Sequence, residues 1–129
     1  MLKKTIKYVD YNGKQREEDY YFNLNRTELV RMEADSDGGL PEKLQRIVKA
    51  NDGNTILKTF EDIILSAYGI KSEDGRRFEK SPEISKAFSQ TEAYNVLLEE
   101  LTTDADAGAE FVKRIIEVKN ATGAPAMNN

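Results

Sequence analysis

The apolar pattern of this chain changes period near residue 24, and that change limits what the chain can fold into. Before it, residues alternate in twos. In Leu2–Asp10, Leu2, Ile6 and Tyr8 share one parity, while Lys3, Thr5, Lys7 and Val9 take the other. Such alternation places the two sets on opposite faces of a β-strand. Asn12-Gly13 then supplies residues that tolerate positive φ, and Lys14–Phe22 reads as the return strand of a tight hairpin. Tyr20-Tyr21-Phe22 puts aromatic bulk on both faces, so the alternation is imperfect at its end. A lone two-stranded hairpin is marginal in water, so this one must pack on helices or pair with another strand.

After residue 24 the apolar spacing is helical throughout. Asn25 followed by Glu28 has the form of a capping box, with Leu29 and Met32 giving a short apolar face. Pro41 suits a first helical turn, and Leu40, Leu44, Ile47 and Val48 follow as one stripe. Asn51-Asp52-Gly53 ends that helix, and Asn54 or Thr55 opens the next, with Ile56, Phe60, Ile63, Ile64 and Ala67 on one face. Gly69 is placed as its stop. Residues 70–80 read as a polar connection turning at Asp74-Gly75 and pinned to the core by Ile70 and Phe78. Ser81-Pro82 starts a short helix carrying Ile84 and Phe88. Thr91 caps the next helix, and Thr103 with Asp104 and Asp106 starts the last. The expected fold class is α+β, mostly α: an N-terminal β-hairpin followed by a bundle of five or six short helices. The expected organisation is a single domain over residues 1–119 (hairpin 1–23, helical part 24–119) and a flexible tail over residues 120–129, where Gly123 and Pro125 interrupt any helix.

Composition removes whole classes of chemistry. The chain has no Cys and no His. Disulfide frameworks, thiolate metal sites, and Ser-His-Asp or Cys-His nucleophilic catalysis are therefore excluded. The N-terminal lysines have no apolar run behind them, and no stretch has the length of a transmembrane helix, so no membrane partner is expected. Residues 1–89 balance 16 basic against 16 acidic side chains, whereas residues 90–129 carry 3 against 7 and hold the whole net charge of −4. A nucleic-acid partner needs a concentrated basic face, and the only dense cluster, Arg76-Arg77 with Lys80, is too small for one.

The remaining polar constellations have plain structural readings beside their chemical ones. Asp35-Ser36-Asp37-Gly38 begins like a calcium loop, but positions five and six are then Gly39 and Leu40, so a helix-ending loop is the better reading. Asp104, Asp106 and Glu110 are spaced poorly for one helical face and suit the dipole of a helix start. Gly38-Gly39 and Gly75 lack the strand and spacing of a phosphate loop. Arg76-Arg77 could clamp an anion, against pairing with Glu73 or Glu79 in a solvated loop. Tyr8, Tyr11, Tyr20, Tyr21 and Phe22 could stack bases, but the adjacent Glu17, Glu18 and Asp19 oppose that, and packing on the helices fits better. No catalytic residue, cofactor or metal ligand is assigned. The last two helices have apolar arcs wider than one stripe, which suits either a central core helix or a face shared with a partner. Tyr94, Leu97, Leu98, Leu101, Phe111 and Ile115 are the candidate partner-binding residues on them.

Several strings carry a family resemblance. They are the loop KSEDGRRFEKS, the segment Phe88-Ser89-Gln90-Thr91-Glu92-Ala93-Tyr94, the Leu97–Leu101 run, and Thr103-Asp104-Ala105-Asp106-Ala107 leading to Phe111. With the YNG turn and YYFNLNRTEL of the hairpin, they resemble the tail assembly chaperones of long, non-contractile-tailed phages (siphophages) of Gram-positive bacteria. The resemblance implies a non-enzymatic protein of the host cytoplasm, absent from the mature virion. It implies binding to the tape-measure protein, which is kept soluble while tail-tube subunits polymerise around it, with the tail-tube protein as a further candidate partner. A homo-oligomer is expected, with self-association through the unpaired hairpin edge as one route. A longer, frameshifted form is another family trait. Two alternatives stand beside this reading. One is a small structural virion protein such as a head–tail connector or tail completion protein. The other is an enzyme or an enzyme inhibitor, an enzyme requiring paired carboxylates converging in a cleft.

Overall fold

The N-terminal alternation folds as a hairpin in the computed structural model, which describes residues 1–33 and 39–123. Strand β1 (Leu2–Val9) pairs antiparallel with β2 (Gln15–Phe22), from Leu2↔Phe22 to Val9↔Gln15. The turn takes the three residues left between the two expected strands, Tyr11, Asn12 and Gly13. The Gly13 amide donates to the Asp10 carbonyl and the Asp10 amide to the Lys14 carbonyl, both at 2.9 Å. Only Gly13 of the Asn12-Gly13 pair has positive φ, at 82°. This is a type I turn closed by a left-handed glycine, a three-residue connection that keeps the strand twist. The Asp10 carboxylate accepts from the Asn12 and Lys14 amides and from Arg16 Nε, and the Arg16 contact holds its carboxyl below the ordinary value.

Six helices follow among the described residues: α1 (Arg26–Glu33), α2 (Gly39–Ala50), α3 (Gly53–Ala67), α4 (Pro82–Ser89), α5 (Glu92–Thr103) and α6 (Ala105–Gly123). The fold is α+β and mostly α. The Asn25–Glu28 capping box is reciprocal, each backbone amide meeting the other's side chain at 2.8 Å. Ser81 and Thr91 cap α4 and α5 by accepting from the Ile84 and Tyr94 amides. Two caps fall one to three residues from the positions expected. Asp52, not Asn54 or Thr55, caps α3, because its carboxylate accepts from the Asn54 amide and the Thr55 hydroxyl. Thr103 ends α5, and Asp104 starts α6 by accepting from the Asp106 and Ala107 amides. Helix α6 runs through residues 120–123 of the expected tail; residues 124–129, like residues 34–38 with the expected helix-ending Asp35-Ser36-Asp37-Gly38, lie outside the described residues.

The connection at residues 70–80 departs from expectation. It holds two strands, β3 (Tyr68–Lys71) and β4 (Phe78–Glu79). Tyr21↔Gly69 and Phe22↔Tyr68 join β3 to β2, and Ile70↔Glu79 and Lys71↔Phe78 join β4 to β3, giving a four-stranded antiparallel sheet ordered β1-β2-β3-β4. With two residue pairs at each junction, neither strand is long enough to show alternation. The turn itself falls where expected, with Gly75 at φ 76°. Ile70 does not pin the segment: it is 47% exposed, and Phe78 is half-buried. Gly69 is not a helix stop. Helix α3 ends at Ala67, and Gly69 sits in β3, where a Cβ would lie 2.7 Å from the Phe78 ring and 2.9 Å from the Glu79 carbonyl oxygen.

One face of the sheet packs on the helices through Leu2, Ile6 and Phe22, meeting Leu24, Phe60, Ile63, Ile64, Phe88, Leu97, Leu101 and Ile115 in one core. The core is built on aromatic contacts. Tyr68 stacks on Phe88 with ring centroids 4.1 Å apart, and Phe22 meets Phe111 edge-on at 5.3 Å. Contacts of this kind add about 0.5–1.5 kcal/mol each beyond area burial. Lys80 ties the second hairpin to the helices. Its ammonium donates to the Asn23 and Ser66 carbonyls at 2.7 Å and to both Glu28 oxygens at 2.8 Å. Burial nonetheless pulls its pKa below 10.5. Strand β1 is one edge of the sheet and carries Lys3, Lys4 and Lys7. Lysines on an edge discourage the pairing of two such edges.

Candidate functional site

The six residues singled out on the last two helices face inward. Tyr94, Leu97, Leu98, Leu101, Phe111 and Ile115 are all buried, with Leu98 the most exposed at 8%. They pack α5 and α6 against the sheet and α3. Tyr94 also donates its hydroxyl to Glu61 at 3.3 Å, and burial pushes its pKa up to about 12.

The accessible apolar surface lies beside them. A groove of about 710 Å³ runs between α2 and α6, lined by Leu44, Gln45, Val48 and Lys49 on one wall and by Ala105, Ala109, Val112, Lys113 and Ile116 on the other. On α6, the spacing i, i+4, i+7, i+11 from Ala105 to Ile116 makes one helical stripe. At 100° per residue this stripe is centred about 100° around the helix from the Gly108, Phe111 and Ile115 face that enters the core. Helix α6 therefore has two apolar faces, one inside and one lining the groove. On α2 the stripe also divides along its length. Leu40 and Leu44 are buried, whereas Val48, one turn further on, is 37% exposed. Lys49 stands in the last turn of α2, where its charge complements the helix dipole. Among the described residues, the charged ones lining the groove are Lys49 and Lys113, one on each wall. The sequence showed both stripes but not which of the two arcs on α6 would be covered.

The other constellations resolve into structural roles. Asp104 caps α6, and among the described residues no group of three or more His, Cys, Asp or Glu is placed to hold a metal ion. Arg77 pairs with Glu79 at 3.1 Å, one of the two partners expected for it. The hairpin aromatics divide: Phe22 is fully buried, Tyr8 and Tyr20 are half-buried and both donate to Glu18, and Tyr11 is 74% exposed. Those hydrogen bonds hold the Glu18 carboxyl below its ordinary value. No described helix is long and apolar enough to cross a membrane.

These features define a small α+β domain with an apolar interhelical groove that, among the described residues, has no cluster of ionisable groups inside it. The family model for phage tail assembly chaperones matches residues 1–119, nearly the whole chain, and the chain belongs to that family. No curated protein and no solved structure matches it.

Proposed function

We propose that this tail assembly chaperone binds the tape-measure protein in the host cytoplasm and keeps it soluble until tail-tube subunits enclose it. The match of residues 1–119 to the chaperone family carries the reading. The physical chemistry agrees with it. A protein that spans the length of a tail tube exposes apolar helical surface before assembly. Covering that surface reversibly takes an apolar face ringed by charge. Many copies along one elongated client gain from avidity without a strong single contact. The function needs no bond chemistry and no cofactor, in keeping with a chain that lacks His and Cys.

Co-expression with the tape-measure protein of the same phage tests the proposal. The tape-measure protein is expected to stay in the soluble fraction and to co-purify with this chain. Equal insolubility with and without the chain, and no recovered complex, refutes it. Mass spectrometry of purified particles tests the departure from the virion: stoichiometric presence there supports a structural virion component instead.

A further inference from the structure

The groove between α2 and α6 has a chemistry of its own, and it goes further than the client's name. This inference rests on the reading of the chain as a client-binding chaperone. We propose that the groove takes one amphipathic α-helix of the client, with its apolar stripe inward and acidic residues along its flanks.

Three observations select this occupant. The first is shape. The α6 wall runs from Ala105 to Ile116, which at 1.5 Å per residue spans about 16 Å, or three helical turns. Its two alanines leave room for a helix to lie close, and Val48 and Ile116 supply accessible apolar surface, one from each wall, above the buried Leu44 and Val112. The second is the charge of the rim. Among the described residues, Lys49 and Lys113 are the charges that line the groove, in a chain whose formal net charge is −4. Such a rim complements acidic positions flanking an apolar stripe and opposes basic ones. The third concerns a second copy of this chain. Two copies meeting groove to groove would bring lysines against lysines, and like charges across an interface are unfavourable.

The test uses the full chain and two synthetic peptides, each with leucines at the i, i+4, i+7, i+11 spacing. One has glutamates at the flanking positions, the other lysines, and binding is read by isothermal titration calorimetry. The glutamate peptide is expected to bind at least tenfold more tightly than the lysine peptide. Lys49→Glu is expected to narrow or reverse that preference. Ala109→Glu and Val48→Glu, on opposite walls and both at exposed positions, are expected to weaken binding at least tenfold while leaving the thermal melt unchanged. Equal affinity for the two peptides, binding of neither, or binding that survives both wall variants overturns the proposal. So does a dimer in sedimentation that Ala109→Glu dissociates, because the occupant is then a second copy. Co-expression separates the two levels. If wild type and both wall variants all keep the tape-measure protein soluble, the groove is not the site while the chaperone reading stands. If wild type fails there, the chaperone reading fails, and the peptide affinities alone decide what the groove binds.

Discussion

Gly108→Ala separates helix propensity from packing, because the two predict opposite signs. Gly108 lies near the start of α6, and in a helix interior alanine is favoured over glycine by about 0.8–1.0 kcal/mol. Judged locally, the substitution stabilises. The structure reverses this. A Cβ at Gly108 would lie 2.7 Å from the Leu101 carbonyl oxygen and 2.7 Å from Phe60 Cζ, with Phe60 Cε1 at 3.2 Å. Neither neighbour yields easily. The carbonyl is backbone in α5, and the Phe60 ring is 3% exposed, enclosed by the core. Forcing a methyl group into a well-packed site costs about 1–3 kcal/mol. Set against the propensity gain, the net expectation is a loss of up to about 2 kcal/mol, a fall in melting temperature of up to roughly 8 °C for a domain of this size. Urea unfolding followed by circular dichroism measures it. Gly108→Ala as stable as wild type, or more so, refutes the reasoning. A double mutant with Phe60→Leu sharpens the test. If the ring is the obstacle, the two losses add to less than their sum by at least about 0.5 kcal/mol; strict additivity places the obstacle elsewhere.

Lys80→Met keeps the aliphatic stem but leaves Glu28 and the Asn23 and Ser66 carbonyls without their shared donor. Desolvation of the ammonium offsets part of that loss, so a destabilisation of about 1–2 kcal/mol is expected; an unchanged urea midpoint would rule the clamp out. Thr91→Ala removes the oxygen that accepts from the Tyr94 amide and is expected to cost about 1 kcal/mol, with Thr91→Ser recovering most of it in the same assay. Acid should destabilise the fold. Arg16 beside Asp10, the Tyr8 and Tyr20 hydroxyls on Glu18, the Thr55 hydroxyl on Asp52 and the Arg76 amide on Asp74 hold these carboxyls below their ordinary values of 3.8, or 4.5 for Glu18. Their stabilisation is present above those values and is lost as pH falls through the lower folded ones, so a melting temperature that is flat from neutrality down to about pH 3 would contradict it. At the other end, Tyr94 titrates near 12 instead of 10.0; its contribution is present below pH 10 and lost as pH rises toward 12. Tyr94→Phe should delete one late step from the ultraviolet tyrosine titration, and deletion of an early step instead would refute the assignment.

The hairpin and the helices were readable because their signals are local and long. Eight-residue strands alternate visibly, and the cap residues Asn25, Ser81 and Thr91 act within three positions of themselves. Strands β3 and β4 were not readable, because two paired residues carry no period. Their pairing depends on a contact across the sheet: Gly69 lies where the Phe78 ring and the Glu79 carbonyl pass within 3 Å of its missing Cβ. From sequence, a glycine after a helix looks like a stop whether or not a strand passes over it. The cap shifts to Asp52 and Asp104 have a similar origin. Each has a hydroxyl residue adjacent or a few positions away, and only the backbone shows which side chain the free amides face.

The candidate site was half legible, and α6 shows why. A helix with one narrow apolar stripe declares its buried face, but α6 carries apolar residues over a wide arc. Periodicity measures the width of that arc and leaves its division open. The core takes the part around Gly108, Phe111 and Ile115, because Gly108 alone lacks the side chain that would keep α5 and Phe60 at a distance. Close approach at Gly108 sets the rotation of α6 about its axis. With that rotation set, Ala105, Ala109, Val112 and Ile116 turn toward α2, where Leu44 and Val48 flank them without filling the space between. The glycine that packs the core thus also aims the groove. A substitution at Gly108 that rotates α6 should therefore weaken binding of the acidic amphipathic peptide even with every groove residue intact. Substitutions at Leu97 or Ile115 that leave the helix in place should lower stability and spare binding. If Gly108→Ala lowers stability yet leaves peptide affinity unchanged, the groove is set by α2 and not by the packing of α6.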